Sequence, residues 1–413
     1  MWSDAAIYVG WDWGTENHEV CVLGSGGVVL QQFSVRHTGE DLIAARARLI
    51  ACAEDDPSQV AVAIETPHGA VVDTLLEGGV AVHSINPKQL DRFRDRFTVA
   101  GAKDDRLDAK VLADSLRTDG HLFRLVESDH PWTIELREWS RMREDLVKER
   151  LRHTNRLRQQ LHRYFPQALE LTSDLSVRWF LELLKKVPTH GKAKTIRKTV
   201  VSALLKKYGA RRMDGPKALQ ILRKKSPGLA KGTVEAASAN VSLTIERLQV
   251  VNTQIRTCES RLETLLQDPM STMTESDDDP YDAHADVKIV LSAPGIAWRV
   301  AGVLLAEAGR LLRARNYRGL RALGGVAPVT RASGKQRGVH MRYACHRRLR
   351  SALLHWAGAA CRTDPWAKAA YEGMRARGQT HSRALRGIAD RQLKVLVSML
   401  RNQTEYDPAR RAA

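Results

Sequence analysis

Cysteine is scarce and never paired. The chain holds five, Cys21, Cys52, Cys258, Cys345 and Cys361, none in a C-x-x-C spacing, which excludes a disulfide framework and a cysteine-based structural zinc site. Long apolar runs are missing too. None approaches the roughly 18 residues that span a bilayer, so no membrane insertion is expected. The opening Met1-Trp2-Ser3-Asp4 lacks the basic start and small-residue cleavage site of a secretory signal, and a cytoplasmic protein is expected.

Two segments are nearly free of acids. Residues 182–231 hold 15 Lys/Arg against two acids, Glu182 and Asp214, and residues 310–413 hold 23 against five. The whole chain carries +18, so the remainder is net acidic and the basicity is regional. A charge run is by default a solvated face, but two basic segments beside an acidic remainder point to a polyanion, DNA or RNA. In the first segment the candidate contacts are Lys185, Lys186, Arg197, Lys198, Arg211 and Arg212. Conversely, Asp268 to Asp286 contains neither Lys nor Arg and includes Pro269 and Pro280, which reads as a flexible linker. It lacks the alternating ligands and central glycine of a calcium loop.

Residues 1–130 alternate strand and helix. Strands are expected at Ile7 to Val9, Glu19 to Leu23 and Val28 to Val35, then at Val60 to Ile64 and Val80 to Ile85; helices are expected at about 40–54, 70–77 and 104–117. Three antiparallel strands followed by alternating helices and strands suggest an α/β fold, a mixed sheet flanked by helices of the ribonuclease-H-like kind. From Trp132 the period becomes helical. Leu146, Leu151, Leu157 and Leu161 form one stripe, and Val241, Leu243, Ile245, Leu248, Val251, Ile255, Leu262 and Leu265 another. Two such helices are expected to pair as a coiled coil over 131–267, around the basic insert. After the 268–286 linker, residues 287–413 read as a mainly α-helical domain. It opens on Leu291-Ser292-Ala293-Pro294-Gly295-Ile296, which resembles half of a helix-hairpin-helix whose turn suits a phosphate, although Pro-Gly turns before helices are also common.

Asp12 follows one strand, Glu65 ends another, and Asp105 and Asp108 lie three apart on one helical run. Four acids from strand ends and a neighbouring helix are what a pair of Mg²⁺ ions needs to clamp the attacking and leaving oxygens of a phosphoryl transfer. Ordinary turn and helix-start charges would give the same pattern. In Lys103-Asp104-Asp105-Arg106-Leu107-Asp108-Ala109, Asp104 and Asp108 also share a face, so spacing does not choose between Asp104 and Asp105. Gly10-Trp11-Asp12-Trp13-Gly14-Thr15 also looks like the first phosphate loop of actin-like kinases, but the second glycine-rich loop those enzymes need is missing between 60 and 260.

Taken in order, Asp12, Ile64-Glu65-Thr66-Pro67-His68-Gly69, Ile85-Asn86-Pro87 and the 103–109 motif resemble the DEDD transposases of bacterial insertion sequences. These are RuvC-like recombinases related to the Piv invertases and associated with a bridge RNA. Pro294-Gly295-Ile296, Leu304-Leu305-Ala306-Glu307-Ala308-Gly309, Leu323-Gly324-Gly325-Val326-Ala327-Pro328 and Ala332-Ser333-Gly334 follow that family's C-terminal transposase domain. The resemblance implies a metal tetrad at Asp12, Glu65, Asp105 and Asp108, with Mg²⁺ as cofactor, and a nucleophilic serine at Ser333 that forms a phosphoserine link to DNA. Asp104 departs from the Thr or Ser usual there. Arg331, Lys335, Arg337, Arg342, Arg347, Arg348 and Arg350 surround Ser333 in sequence and suit backbone phosphates. The implied partners are DNA, a guide RNA and further copies of the chain, as dimer or tetramer, in a nucleoid-associated setting. A junction-resolving nuclease that uses water as nucleophile, and a DNA-binding protein without catalysis, are the competing readings.

Overall fold

The computed structural model describes residues 5–97, 104–127, 129–226, 228–268, 283–334 and 336–412. Most of the acidic segment, together with Met1 to Asp4, Lys103 and Lys335, lies outside these residues. The chain divides into two compact units, Met1–Asp129 and His130–Ala413.

The first unit is a six-stranded mixed sheet with helices on both faces. Its strands are β1 (Ile7–Asp12), β2 (Asn17–Gly24), β3 (Val29–Arg36), β4 (Val60–Ile64), β5 (Ala81–Ser84) and β6 (Arg124–Val126), in the order β3-β2-β1-β4-β5-β6. Pairing is antiparallel from β3 to β1, parallel through β4 and β5, and antiparallel again at β6. Alternation of side chains sorts the two faces. Val9, Trp11, Val20, Val62 and Ile64 pack with α1 (Gly39–Ala51) and α2 (Ala70–Glu77), while Tyr8, Cys21, Leu23 and Ala63 pack with α4 (Asp105–Asp119). Between them α3 (Pro87–Arg94) is a helix absent from the sequence reading. Asn86 caps it by accepting from the Lys88 N–H at 3.0 Å, and Pro87 occupies its first turn.

α4 crosses β1 at Gly10. A Cβ there would overlap the Ala109 carbonyl and lie 2.6 Å from the Ala113 nitrogen, so only glycine permits the approach. That close crossing brings the start of α4 to the end of β1, which is where the acids lie.

The second unit is mainly helical. α5 (Pro131–Tyr164) and α10 (Lys231–Gln267) run antiparallel: Trp132 Nε1 donates to the Leu265 carbonyl at 2.8 Å, and Arg143 pairs with Glu259 at 2.9 Å. Val241, Ile245, Leu248, Val251, Ile255, Leu262 and Leu265 are buried as the stripe predicts. Leu151 and Leu243 are not; they stand 60% and 56% exposed, one step off the packed seam. The basic insert folds as α6 (Arg178–Lys186), α7 (His190–Thr195), α8 (Lys198–Lys207) and α9 (Gly215–Leu222), whose apolar sides close a core with Leu157, Leu161 and Val241.

Beyond the acidic segment come α11 (Ala283–Ser292), α12 (Trp298–Arg313), α13 (Tyr317–Leu323), the hairpin β7 (Val329–Ser333) and β8 (Gln336–His340), α14 (Arg347–Thr363), α15 (Pro365–Ala376) and α16 (His381–Asn402). Their core includes Trp132 and Leu136 of α5 and Leu262, Leu265 and Leu266 of α10. Asp286, grouped by composition with the linker, is a buried helical residue held by Arg315 at 2.6 and 2.7 Å. The Pro294-Gly295 turn faces inward. Gly295 has φ +80°, a Cβ on it would lie 2.5 Å from the Ala360 nitrogen, and the Pro294 carbonyl accepts from Trp356 at 3.0 Å. Its glycine serves packing against α14.

Candidate active site

Asp12 is the last residue of β1, and Glu65 directly follows β4. The parallel register pairs Trp11 with Ile64, which sets Asp12 and Glu65 side by side at the carboxyl ends of adjacent strands. Asp105 opens α4 and Asp108 lies one turn on, on the same face. Asp12, Asp105 and Asp108 each offer a carboxylate oxygen, and these oxygens all lie within 4.8 Å of one another. Asp108 is buried, Asp12 half-buried and Asp105 exposed.

Asp104 does something else. It is the N-cap of α4, with extended backbone, and its side chain accepts from the Arg106 N–H at 3.1 Å. A cap residue turns its carboxylate back onto the helix end, so the neighbouring Asp105 joins the cluster.

Three like charges in one place require compensation. Arg94, at the end of α3, donates from Nε to Asp108 Oδ1 at 2.7 Å and lies 3.2 Å from Asp91. Burial lowers the Arg94 pKa, but Asp108, Asp91 and Glu65 outweigh it and hold the guanidinium above its ordinary value. A second tether fixes the start of α4: Gln32 Nε2 donates to the Arg106 carbonyl at 3.0 Å, and the Arg106 guanidinium lies 3.7 Å from Glu19, which stands opposite Asp12 in the β1–β2 register. Arg94 escaped the sequence reading although Asn86-Pro87 is a helix-start signal that would have found its helix. The donor set is all hard carboxylate oxygen, which fits a divalent cation such as Mg²⁺ and not a soft metal.

Ser333 ends β7, pairs with Gln336 across the hairpin and is exposed; Gly334 at the tip has φ +54°. Its hydroxyl has no hydrogen-bond partner among the described residues. Arg331 and Arg347 are exposed, Arg342 is half-buried, and Arg337 lies on β8. Arg348 faces inward instead, 2.6 Å from Glu144 and 4.0 Å from Glu307, whose side chain is 4% exposed. Arg141 clasps Glu307 with two bonds of 2.9 Å. Burial alone raises the Glu307 pKa, but Arg141 and His346 bring it below the usual range. Arg348 thus takes part in a carboxylate network with Glu144 and Glu307. In the insert, Lys185, Lys186, Arg197, Lys198, Arg211 and Arg212 are all exposed, with Lys185 bonded to Gln249 at 2.6 Å.

Residues 9–166 match a DEDD domain model described as a transposase, and residues 287–372 match the model "Transposase IS116/IS110/IS902 family". The "Mini-circle putative transposase for IS117" of Streptomyces coelicolor is 30% identical over 419 residues, covering 99% of this chain and 98% of that protein. The chain belongs to the IS116/IS110/IS902 transposase family. "Putative transposase y4uE" of Sinorhizobium fredii is 49% identical over 226 residues, 54% of this chain, which spans 62% of that protein's length. In this transposase the four acids fall in the first matched segment and Ser333 in the second, whereas the basic insert and α16 lie outside both. Among the described residues no helix is long and apolar enough to cross a membrane.

Proposed function

We propose that the chain cuts and rejoins DNA as the recombinase of an insertion sequence. The first unit acts as a ribonuclease-H-like, RuvC-like metal domain and Ser333 as the nucleophile. The observation that carries this reading is the convergence of Asp12, Asp105 and the buried Asp108 on one point beside Glu65. Asp12, Glu65, Asp105 and Asp108 would hold two Mg²⁺ ions, which supply activation of the attacking hydroxyl and charge stabilisation at the leaving oxygen.

The chain's own residues do the rest. Ser333 Oγ, exposed at the end of a strand, forms a bond to a DNA phosphorus as the bond from that phosphorus to a strand-end oxygen breaks. The serine proton leaves and the freed oxygen gains one, so phosphoester bonds are conserved and the reverse reaction on a second strand rejoins DNA without a nucleotide cofactor. A serine hydroxyl is a weak nucleophile alone, so Ser333 must reach a tetrad, its own or that of another copy, and synapsis of two DNA partners calls for at least a dimer. The exposed cations of the insert and Arg331 and Arg347 serve nucleic acid, with a guide RNA among the ligands they suit.

The test is Ser333→Ala with labelled DNA ends and Mg²⁺ on a denaturing gel. Loss of a covalent protein–DNA species with metal and DNA binding retained is the expected result. Near-normal cleavage would leave a tetrad that activates water, the junction-nuclease reading. No Mg²⁺-dependent cleavage by the unaltered protein would leave only a DNA-binding role.

A further inference from the structure

From Ala308 to Thr363 the sequence has no Asp or Glu. Several arginines of this stretch find carboxylates elsewhere: Arg315 on Asp286, Arg321 on Asp390, Arg348 on Glu144. Arg342 and Arg350 do not, and neither do Arg383 and Arg386 of α16; none of the four has a carboxylate partner among the described residues. Asp390, one turn beyond Arg386, is taken up by Arg321 and by the Tyr317 hydroxyl at 3.0 Å.

The unpaired cations are nevertheless gathered together. The Arg350 guanidinium donates to the Arg342 carbonyl and lies over Gly325, where a Cβ would be 2.7 Å from Nε. Arg342 Nε and Arg350 Nε are buried donors without a partner. Arg386 is half-buried, and burial first, then Arg350 and Arg383, lower its pKa; Tyr343 is the one neighbour that raises it. Tyr343 itself stands 80% exposed on the segment joining β8 to α14.

Like charges confined without a counter-charge destabilise the free protein, and are retained where an anion completes them. We propose that Arg342, Arg350, Arg383 and Arg386, with Tyr343, form a seat for a phosphodiester of a nucleic-acid strand. Guanidinium forks match phosphate oxygens, and an exposed tyrosine ring offers a face for a base to stack on. Arg342 and Tyr343 follow β8 of the Ser333 hairpin in the chain, so the seat would grip the strand that the hairpin approaches. It deepens the DNA-recombinase reading and rests on it only for the identity of the polyanion.

The experiment uses full-length protein and the Arg383→Gln/Arg386→Gln double variant, whose side chains are not part of the core. Thermal melting is followed at low salt with graded inorganic phosphate, and binding of a labelled DNA duplex and of an RNA of the same sequence is followed over graded salt. The double variant is expected to melt higher than the unaltered protein without phosphate, since repulsion is relieved. It should gain less from phosphate, and its log–log salt slope should be shallower by about 0.9 for each duplex phosphate that is no longer neutralised. Weakening confined to DNA assigns the seat to DNA, and weakening confined to RNA assigns it to RNA. A double variant that melts lower, responds equally to phosphate and keeps its salt slope overturns the proposal. The two readings fail separately. A phosphate response in a protein that never cleaves DNA sinks the recombinase and keeps the seat; cleavage without that response sinks the seat alone.

Discussion

Arg94 reaches from the end of α3 to place its Nε 2.7 Å from Asp108 Oδ1, so the most buried acid of the cluster already has one cation of the protein's own. That pairing gives the buried carboxylate a hydrogen bond and a counter-charge in place of water, and removing one partner of such a pair is costly. Arg94→Ala should therefore destabilise the protein by about 1.5–3 kcal/mol, the range for a hydrogen bond to a charged group. Urea unfolding with and without Mg²⁺ checks it. A loss that shrinks when Mg²⁺ is added is expected, because the metal replaces the missing charge; an equal loss in both would show that no cation enters the cluster.

The two adjacent aspartates separate cleanly by variant. Asp105→Ala should abolish cleavage and, with repulsion relieved, leave stability unchanged or slightly raised. Asp104→Ala should keep cleavage and lose about 1 kcal/mol as a helix cap is removed. Cleavage assays paired with denaturant curves read both. The opposite pattern would assign the metal to Asp104.

Gly10→Ala tests the crossing of α4 over β1. The added methyl meets backbone, which does not swing aside, so α4 must shift. A loss of roughly 1–3 kcal/mol is expected, with cleavage falling well beyond what the remaining folded fraction explains. Activity in proportion to the folded fraction would mean that the acids tolerate the shift.

His18 gives a pH dependence. Its Nδ1 accepts from the Gly14 N–H at 3.2 Å, and its Nε2 contacts His37 Nδ1 at 2.9 Å. Burial, then the charge of His37, lowers its pKa from 6.5 to about 4. The unfolded chain thus takes up a proton at a higher pH than the folded one, so stability present above pH 6.5 declines as pH falls toward 4. Unfolding midpoints across that range should show the decline, and His18→Gln, which does not titrate, should flatten it.

Strand positions in the first unit were legible because apolar alternation and β-branched runs write themselves plainly, and Val60 to Ile64 is an element at the expected residues. Asp12, Asp105 and Asp108 were legible as acids at element ends. Spacing left Asp104 and Asp105 equal, since the difference lies in backbone conformation: one residue is extended and capping, the next helical. Arg94 was hidden because its helix is short and polar, with only Leu90 buried, so it leaves no periodic apolar signal. The ion pairs of Arg348 were not legible either. A run of arginines reads as uniformly solvent-facing, whereas helical geometry turns one of each few inward, here toward Glu144 and Glu307.

The core around α12 and α14 is finished by side chains from both ends of a helical hairpin that starts at residue 131. A fragment beginning at 287, the edge of the second family match, would lack Trp132, Leu136, Leu262, Leu265 and Leu266 and would leave an oily wall open to solvent. Glu307 would lose the clasp of Arg141 at the same stroke. The stretch that looks like a transferable cassette along the sequence is thus no autonomous folder, and the serine hairpin should melt together with the long helices, in a single cooperative step.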